Sequence, residues 1–71
     1  MSDKHHEEPT EEVREIALLE AGHFMELGHI EKDEGNFGKS EPYFQAALDI
    51  FEEQQDQRGM GRALGNLGLV Y

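Results

Sequence analysis

The sequence predicts an all-α protein in which an antiparallel helical hairpin is followed by a third helix. Apolar residues recur at steps of three and four along most of the chain, which is the period of a helix. Two short polar segments that contain glycine, EGNF at 34–37 and QQDQRG at 54–59, divide this pattern into three parts. No segment has the alternation expected of a strand, and turns this short favour antiparallel packing of successive helices.

The composition restricts the class of protein. The chain has 71 residues, with 16 acidic and 6 basic side chains and a net charge of −10. This balance disfavours binding to nucleic acid or to anionic membranes, and it favours a basic partner. A domain of this size is marginally stable by itself, and the absence of cysteine leaves oligomerisation as the usual remaining support.

The N-terminal segment, residues 1–9, is polar, acidic and closed by Pro9, so we expect a disordered tail. It lacks the apolar core of a secretory signal, and no apolar run approaches the roughly 20 residues that a membrane span needs. We therefore expect a cytoplasmic protein with a helical domain at 10–71.

The first helix is expected at about 11–34. Thr10 is a suitable N-cap, and Glu11 and Glu12 follow in the first turn, where the helix dipole favours acidic side chains. Gly35 suits a position with positive φ just after the helix. The apolar stripe that this helix is expected to bury consists of Val13, Ile16, Ala17, Ala21, Phe24, Leu27 and Gly28.

The second helix is expected at about 38–54. A proline in a first turn removes no hydrogen bond, so Pro42 places the start near Lys39 or Ser40. Two apolar stripes predict that this helix lies between two neighbours. One stripe holds Phe44, Ala47, Leu48 and Phe51, and the other holds Tyr43, Ala46 and Ile50.

The third helix is expected at about 58–71. It closes on apolar residues without a glycine cap or a basic last turn, so we expect another polypeptide to cover it. The predicted self-association face consists of Leu64, Leu67, Val70 and Tyr71.

An internal repeat links the first and third helices. The segments FMELGHI (24–30) and LGNLGLV (64–70) align when Leu27-Gly28 is placed on Leu67-Gly68, an offset of 40 residues. A period of this length with a helix–turn–helix between the copies is typical of a solenoid. In each copy we expect the leucine to fill the space between helices and the glycine to permit their close approach.

With this spacing, the chain resembles the tetratricopeptide repeat family over about residues 18–71. The closing segment GRALGNLGLVY is similar to the opening of the forty-residue variety. Glu31 departs from the aromatic residue usual at its position, and Ser40 departs from alanine. The matching residues are Phe24, Leu27, Gly28, the EGNF turn, Phe44 and Ala47, then Leu64, Leu67, Gly68 and Tyr71. Of these, the residues assigned to repeat packing are Phe24, Leu27, Gly28, Phe44, Ala47 and Gly68.

The resemblance implies a protein-binding module with a concave groove. Asn66 could clamp a peptide backbone, because an amide both donates and accepts hydrogen bonds, and Arg62 could hold a carboxylate. The simpler interpretation is that both are solvated surface residues. The groove positions implied by the resemblance are Gly22, Met25, Glu26, His29, Lys32 and Asp33 on the first helix, and Arg62, Gly65, Asn66 and Leu69 on the third.

Other chemistry is not expected. His23 and His29 are six residues apart, whereas a helical metal-ligand pair needs three or four, so we expect no metal site and no cofactor. The glycines of the third helix match no phosphate-binding motif. The chain has no cysteine and only two serines, and no catalytic triad is recognisable, so we do not expect an enzyme.

We therefore expect a protein-interaction or assembly module, with one full repeat and the first helix of a second. The favoured partner is a second copy of the chain, in a homodimer for which domain exchange is one route of formation. Two alternatives stay open: a monomeric adaptor that binds a peptide in the groove, and a regulatory fragment of a longer array. Neither nucleic acid nor a membrane is expected as a partner.

Overall fold

Three helices make up the part of the chain that the computed structural model describes, residues 10–70, with side chains described as far as residue 68. They are α1 (Glu11–Asp33), α2 (Phe37–Glu53) and α3 (Gln57–Val70), and no strand occurs within these residues. The all-α prediction is confirmed. The observed helices lie within one residue of the expected ranges 11–34, 38–54 and 58–71, although α2 begins before the Lys39 or Ser40 that Pro42 indicated. The predicted disordered tail, residues 1–9, lies outside the described residues.

The start of α1 is fixed by a side-chain cap. Thr10 has extended backbone, and its Oγ1 accepts a hydrogen bond from the N–H of Val13 at 3.1 Å. This bond satisfies one of the N–H groups that have no partner within the helix. Glu11 and Glu12 occupy the first turn, where their charge opposes the positive end of the helix dipole.

The two turns between the helices have the same backbone structure, 20 residues apart. Each helix is followed by one residue in the left-handed region, Gly35 with φ of +82° and Gln55 with φ of +58°. The next N–H group, that of Asn36 or Asp56, then bonds to the carbonyl five residues earlier, at 2.8 and 2.9 Å. This is the Schellman arrangement, and it turns the chain sharply into the next helix.

Helix α2 lies between α1 and α3, as its two apolar stripes predict, and each neighbour approaches it at a glycine. A Cβ atom placed on Gly28 of α1 would lie 2.6 Å from the ring of Phe44, and one placed on Gly59 of α3 would collide with Phe51. Both glycines are therefore needed for close contact between helices. The buried core consists of Ala21, Met25, Phe44, Ala47, Leu48, Phe51, Ala63 and Leu67.

The buried face of α1 differs from the predicted stripe. Ala21, Met25 and Gly28 are buried, whereas Val13 and Ile16 are exposed, so the helix is rotated about its axis relative to the prediction. The reason is that α1 carries apolar residues around more than half of its circumference, and α2 covers one side of it. The periodicity identifies the helix but does not determine which apolar side is covered.

The start of α2 also differs in detail from the prediction. The helix begins at Phe37, so Pro42 lies in its second turn instead of its first. Proline at that point removes the hydrogen bond that its N–H would have donated to the carbonyl of Gly38. Buried Ser40 is satisfied locally, because its hydroxyl donates to the carbonyl of Phe37 at 2.9 Å.

Candidate interaction surfaces

The first copy of the repeated motif is covered by α2. Gly28 is buried beneath the ring of Phe44, and Phe24 stacks on Tyr43 with ring centroids 6.4 Å apart. His29 meets the same Phe44 edge-on at 5.2 Å. Of the predicted packing residues, Gly28, Phe44 and Ala47 are buried, whereas Phe24 and Leu27 are half-buried.

The second copy of the motif is open on the corresponding side. Leu64, which aligns with Phe24, is 55% exposed. Gly68, which aligns with Gly28, has no described atom within 4 Å of the position of a Cβ. No described helix lies against Gly68, so its assignment to repeat packing stays a prediction.

The predicted self-association face is divided by the structure. Leu67 is 5% exposed and belongs to the core, so it is not on an accessible face. The reason is that α2 packs on α3 from the side of Gly59 and Ala63, and Leu67 follows on the same side. Leu64 lies about 60° around the helix from Leu67 and is accessible. The side chain of Val70 and all of Tyr71 lie outside the described residues.

Three exposed glycines accompany Leu64 on α3. With about 100° of rotation per residue, Gly61, Leu64, Gly65 and Gly68 fall within roughly 100° of the helix circumference. No described atom lies within 4 Å of a Cβ placed on any of the three glycines. We name these four residues the α3 open face.

A shallow concavity of about 430 Å³ lies between α1 and α3. Of the predicted groove residues, Gly22, Glu26 and Arg62 line it and are exposed, and His29 lines it and is half-buried. The remaining lining residues are Leu18, Leu19, His23 and Met25.

Two of the predicted groove residues have other roles. Met25 is 2% exposed and packs in the core, so it is not available as a peptide contact, because α1 is rotated relative to the prediction. The amide of Asn66 is already bonded within the chain: it donates to the carbonyl of Arg62 at 2.8 Å and accepts from Lys32 Nζ at 3.4 Å. Asn66 therefore links α3 to α1 instead of presenting a free clamp. The side chain of Leu69 lies outside the described residues.

Sequence reasoning missed a second apolar face on α1. Ile16, Leu19 and Ile30 are 64%, 74% and 52% exposed. Together with exposed His23 and half-buried Leu27, they fall within roughly 80° of the helix circumference. We name these five residues the α1 outer face. The signal was present in the sequence, since the spacing 16, 19, 23, 27, 30 is itself helical, but it was merged with the core stripe.

Comparison of the chain with protein families, with curated proteins and with solved structures gives no match. The tetratricopeptide resemblance therefore stays an expectation from the aligned residues. Within residues 10–70, no helix is long and apolar enough to cross a membrane. Among the same residues, no cluster of three or more acidic or histidine side chains is arranged to hold a metal ion.

Proposed function

We propose that the protein is a non-catalytic protein-interaction and assembly module that self-associates through the α3 open face. One observation carries the proposal: equivalent positions of the repeated motif are covered in α1 and uncovered in α3. Gly28 lies against Phe44 of α2, whereas Gly68 has no described neighbour within 4 Å. A face built like one that receives a helix, and left open, is suited to receive a helix from another polypeptide.

The glycines of α3 support this interpretation energetically. A glycine inside a helix costs about 1 kcal/mol relative to alanine, and Gly61, Gly65 and Gly68 make no compensating contact among the described residues. In α1 the corresponding cost at Gly28 is offset by the close approach of Phe44. Close approach of a partner helix would offset the cost in α3 in the same way.

A second copy of the chain is the partner that we favour. In a symmetric dimer, the same face meets itself, so Leu64 of each protomer lies against the glycines of the other. Such packing needs a protruding side chain beside a row of residues without side chains. The α3 open face contains both, in Leu64 and its three glycines. A homodimer also adds the buried apolar area that a domain of this size lacks.

The peptide-adaptor alternative has weaker support. The groove is shallow, and two residues that would have held a peptide, Met25 and Asn66, are engaged in the core and in the α1–α3 contact. Arg62 remains exposed at the edge of the groove.

The test is the molar mass of the protein by light scattering, measured across a hundredfold range of concentration. Leu64→Lys should shift a dimer to monomer, because it places a charge in the contact, while helicity by circular dichroism should stay unchanged because Leu64 is exposed. The matched control is Leu19→Lys, the same change on α1, which should leave the mass unaltered.

A second variant separates association from folding. Gly65→Ala should raise the stability of the monomer by up to about 1 kcal/mol and yet weaken the dimer, since the added methyl group obstructs close approach. A mass that matches the 8.1 kDa chain at every concentration, with full helicity, would refute self-association. A dimer that is insensitive to both Leu64→Lys and Gly65→Ala would refute the α3 open face as its interface.

A further inference from the structure

The α1 outer face lies on the opposite side of the helix from the buried residues of α1. Ala21, Met25 and Gly28 face α2 and the core, whereas the exposed apolar residues Ile16, Leu19 and Ile30 face away from them. Ile16, Leu19 and Ile30 are each more than half exposed, while Leu19 and His23 also line the groove that Arg62 of α3 borders. The α1 outer face is continuous over about four turns, or roughly 20 Å from Ile16 to Ile30.

Acidic side chains border this face along both edges. Glu20 lies on one side of the apolar residues, and Glu15 and Glu26 lie on the other. All three carboxylates are exposed. The face is therefore an apolar strip with negative charge on either side.

The basic residues of α1 do not neutralise these edges, because both are on the opposite side of the helix. Arg14 donates to the carbonyl of Gln54 at the end of α2, at 3.2 Å. Lys32 donates to Asn66 of α3, at 3.4 Å. The positive charges are used in contacts between helices, and the negative charges remain beside the apolar strip.

We propose that the α1 outer face binds an amphipathic helix of a partner protein whose apolar stripe is flanked by lysine or arginine. The apolar strip has the width and the three-to-four residue spacing that suit the apolar side of one helix. The two acidic edges complement basic residues on each side of that stripe, and such complementarity selects the partner as well as its orientation. This inference is independent of the α3 open face.

A second copy of the chain fits this face less well. Laid antiparallel about His23, it would place Ile16 opposite Ile30 and Leu19 opposite Leu27, which matches the apolar residues. Either direction, however, brings acidic edges against acidic edges, and like charges across an interface are unfavourable. Residues 1–9 of the same chain carry more acidic than basic side chains and meet the same objection.

The experiment uses the full chain and a fluorescein-labelled synthetic peptide of about 20 residues, enough to span roughly 30 Å of helix. The peptide has leucine at the stripe positions and lysine on both flanks, and a second peptide has glutamate in place of every lysine. Binding is followed by fluorescence anisotropy at low and at high salt. We expect saturable binding of the lysine peptide that weakens with salt, and binding of the glutamate peptide that is weaker by about tenfold or more.

Variants assign the binding to this face. Ile16→Ser with Ile30→Ser should weaken binding of the lysine peptide by about tenfold, since both side chains would be buried by it. Glu20→Gln should weaken binding and reduce its dependence on salt. Leu64→Ser, the matched loss of an exposed apolar residue on α3, should leave the affinity within about twofold. Circular dichroism confirms that each variant is folded.

Three outcomes would overturn the proposal. One is equal binding of the two peptides, or binding of neither. Another is a loss of affinity with Leu64→Ser as large as that with the Ile16 and Ile30 changes, which would place the peptide on α3. The third is a change in molar mass with Ile16→Ser and Ile30→Ser, which would make a second copy the occupant. Failure of the self-association test alone leaves this proposal intact, because it concerns α3.

Discussion

The left-handed residue after α2 is a glutamine, whereas its equivalent after α1 is a glycine. Gln55 has φ of +58°, and it is the one non-glycine residue with positive φ among residues 10–70. A side chain in this region costs about 1 kcal/mol or more, because Cβ crowds the following carbonyl. We expect Gln55→Gly to raise the free energy of unfolding by about 1 kcal/mol, measured by urea denaturation.

The reverse change at the equivalent position is the control. Gly35→Gln should lower the free energy of unfolding by a similar amount, because Gly35 has φ of +82°. Space is not the constraint there, since no described atom lies within 4 Å of a Cβ at Gly35. If the two substitutions had the same sign, backbone strain would not be the cause.

The contact between α1 and α2 depends on how closely the helices approach at Gly28. A methyl group there would lie 2.6 Å from the ring of Phe44, and forcing extra volume into a packed core costs roughly 1–3 kcal/mol. The gain in helix propensity is only about 1 kcal/mol. We expect Gly28→Ala to lower the melting temperature, measured by circular dichroism.

Gly22→Ala, on the same helix, measures the effect of helix propensity without a steric clash. Gly22 is exposed and no described atom lies within 4 Å of its Cβ position, so alanine should stabilise α1 by about 1 kcal/mol. For a domain of this size that corresponds to a rise in melting temperature of about 4–8 °C. A rise with Gly28→Ala as large as with Gly22→Ala would contradict the steric role of Gly28.

At the level of helices, the sequence predicted where each helix begins and ends better than it predicted which side of each helix is buried. Thr10, Gly35 and the second polar segment carry local chemistry that ends or begins a helix whatever surrounds it, so the boundaries could be predicted. Which side of α1 is buried depends on the distant α2, and local periodicity contains no such information. The same limit explains why Met25 and Leu67 were placed on accessible faces although both lie in the core.

For the candidate surfaces too, features that depend on nearby residues could be predicted, whereas features that depend on another helix could not. The concavity at Gly22, Glu26 and Arg62 lies at positions that the resemblance assigns to a groove. The bond from Asn66 to the carbonyl of Arg62 lies within α3, whereas the bond from Lys32 depends on the position of another helix. The α1 outer face required the knowledge that α2 covers the opposite side.

At the level of the whole molecule, α2 is the element that α1 and α3 share. Among the described residues, α1 and α3 meet each other sparsely, at the Lys32–Asn66 bond and around the groove. Stability in such a stack is approximately a sum of helix and neighbour terms, so a terminal helix can open by itself. We expect amide hydrogen exchange in α3 to be faster than in the central turns of α1 and α2.

If the protein self-associates through α3, amide exchange in α3 should also depend on protein concentration. If a partner covers the α3 open face, protection of α3 should rise with protein concentration, while protection of α1 and α2 should not. Leu64→Lys should remove that rise. Uniform exchange of all three helices would instead show that the domain opens as one cooperative unit.

The equality of the two turns has a geometrical consequence. Each turn sets the direction in which the next helix leaves, through a left-handed residue at the same position and equivalent backbone hydrogen bonds. In stacked helical repeats, a rotation that recurs from one unit to the next generates a superhelix. Since the backbone at residues 54–56 sets the direction of α3, we expect a change in φ at Gln55 to alter the angle between α2 and α3.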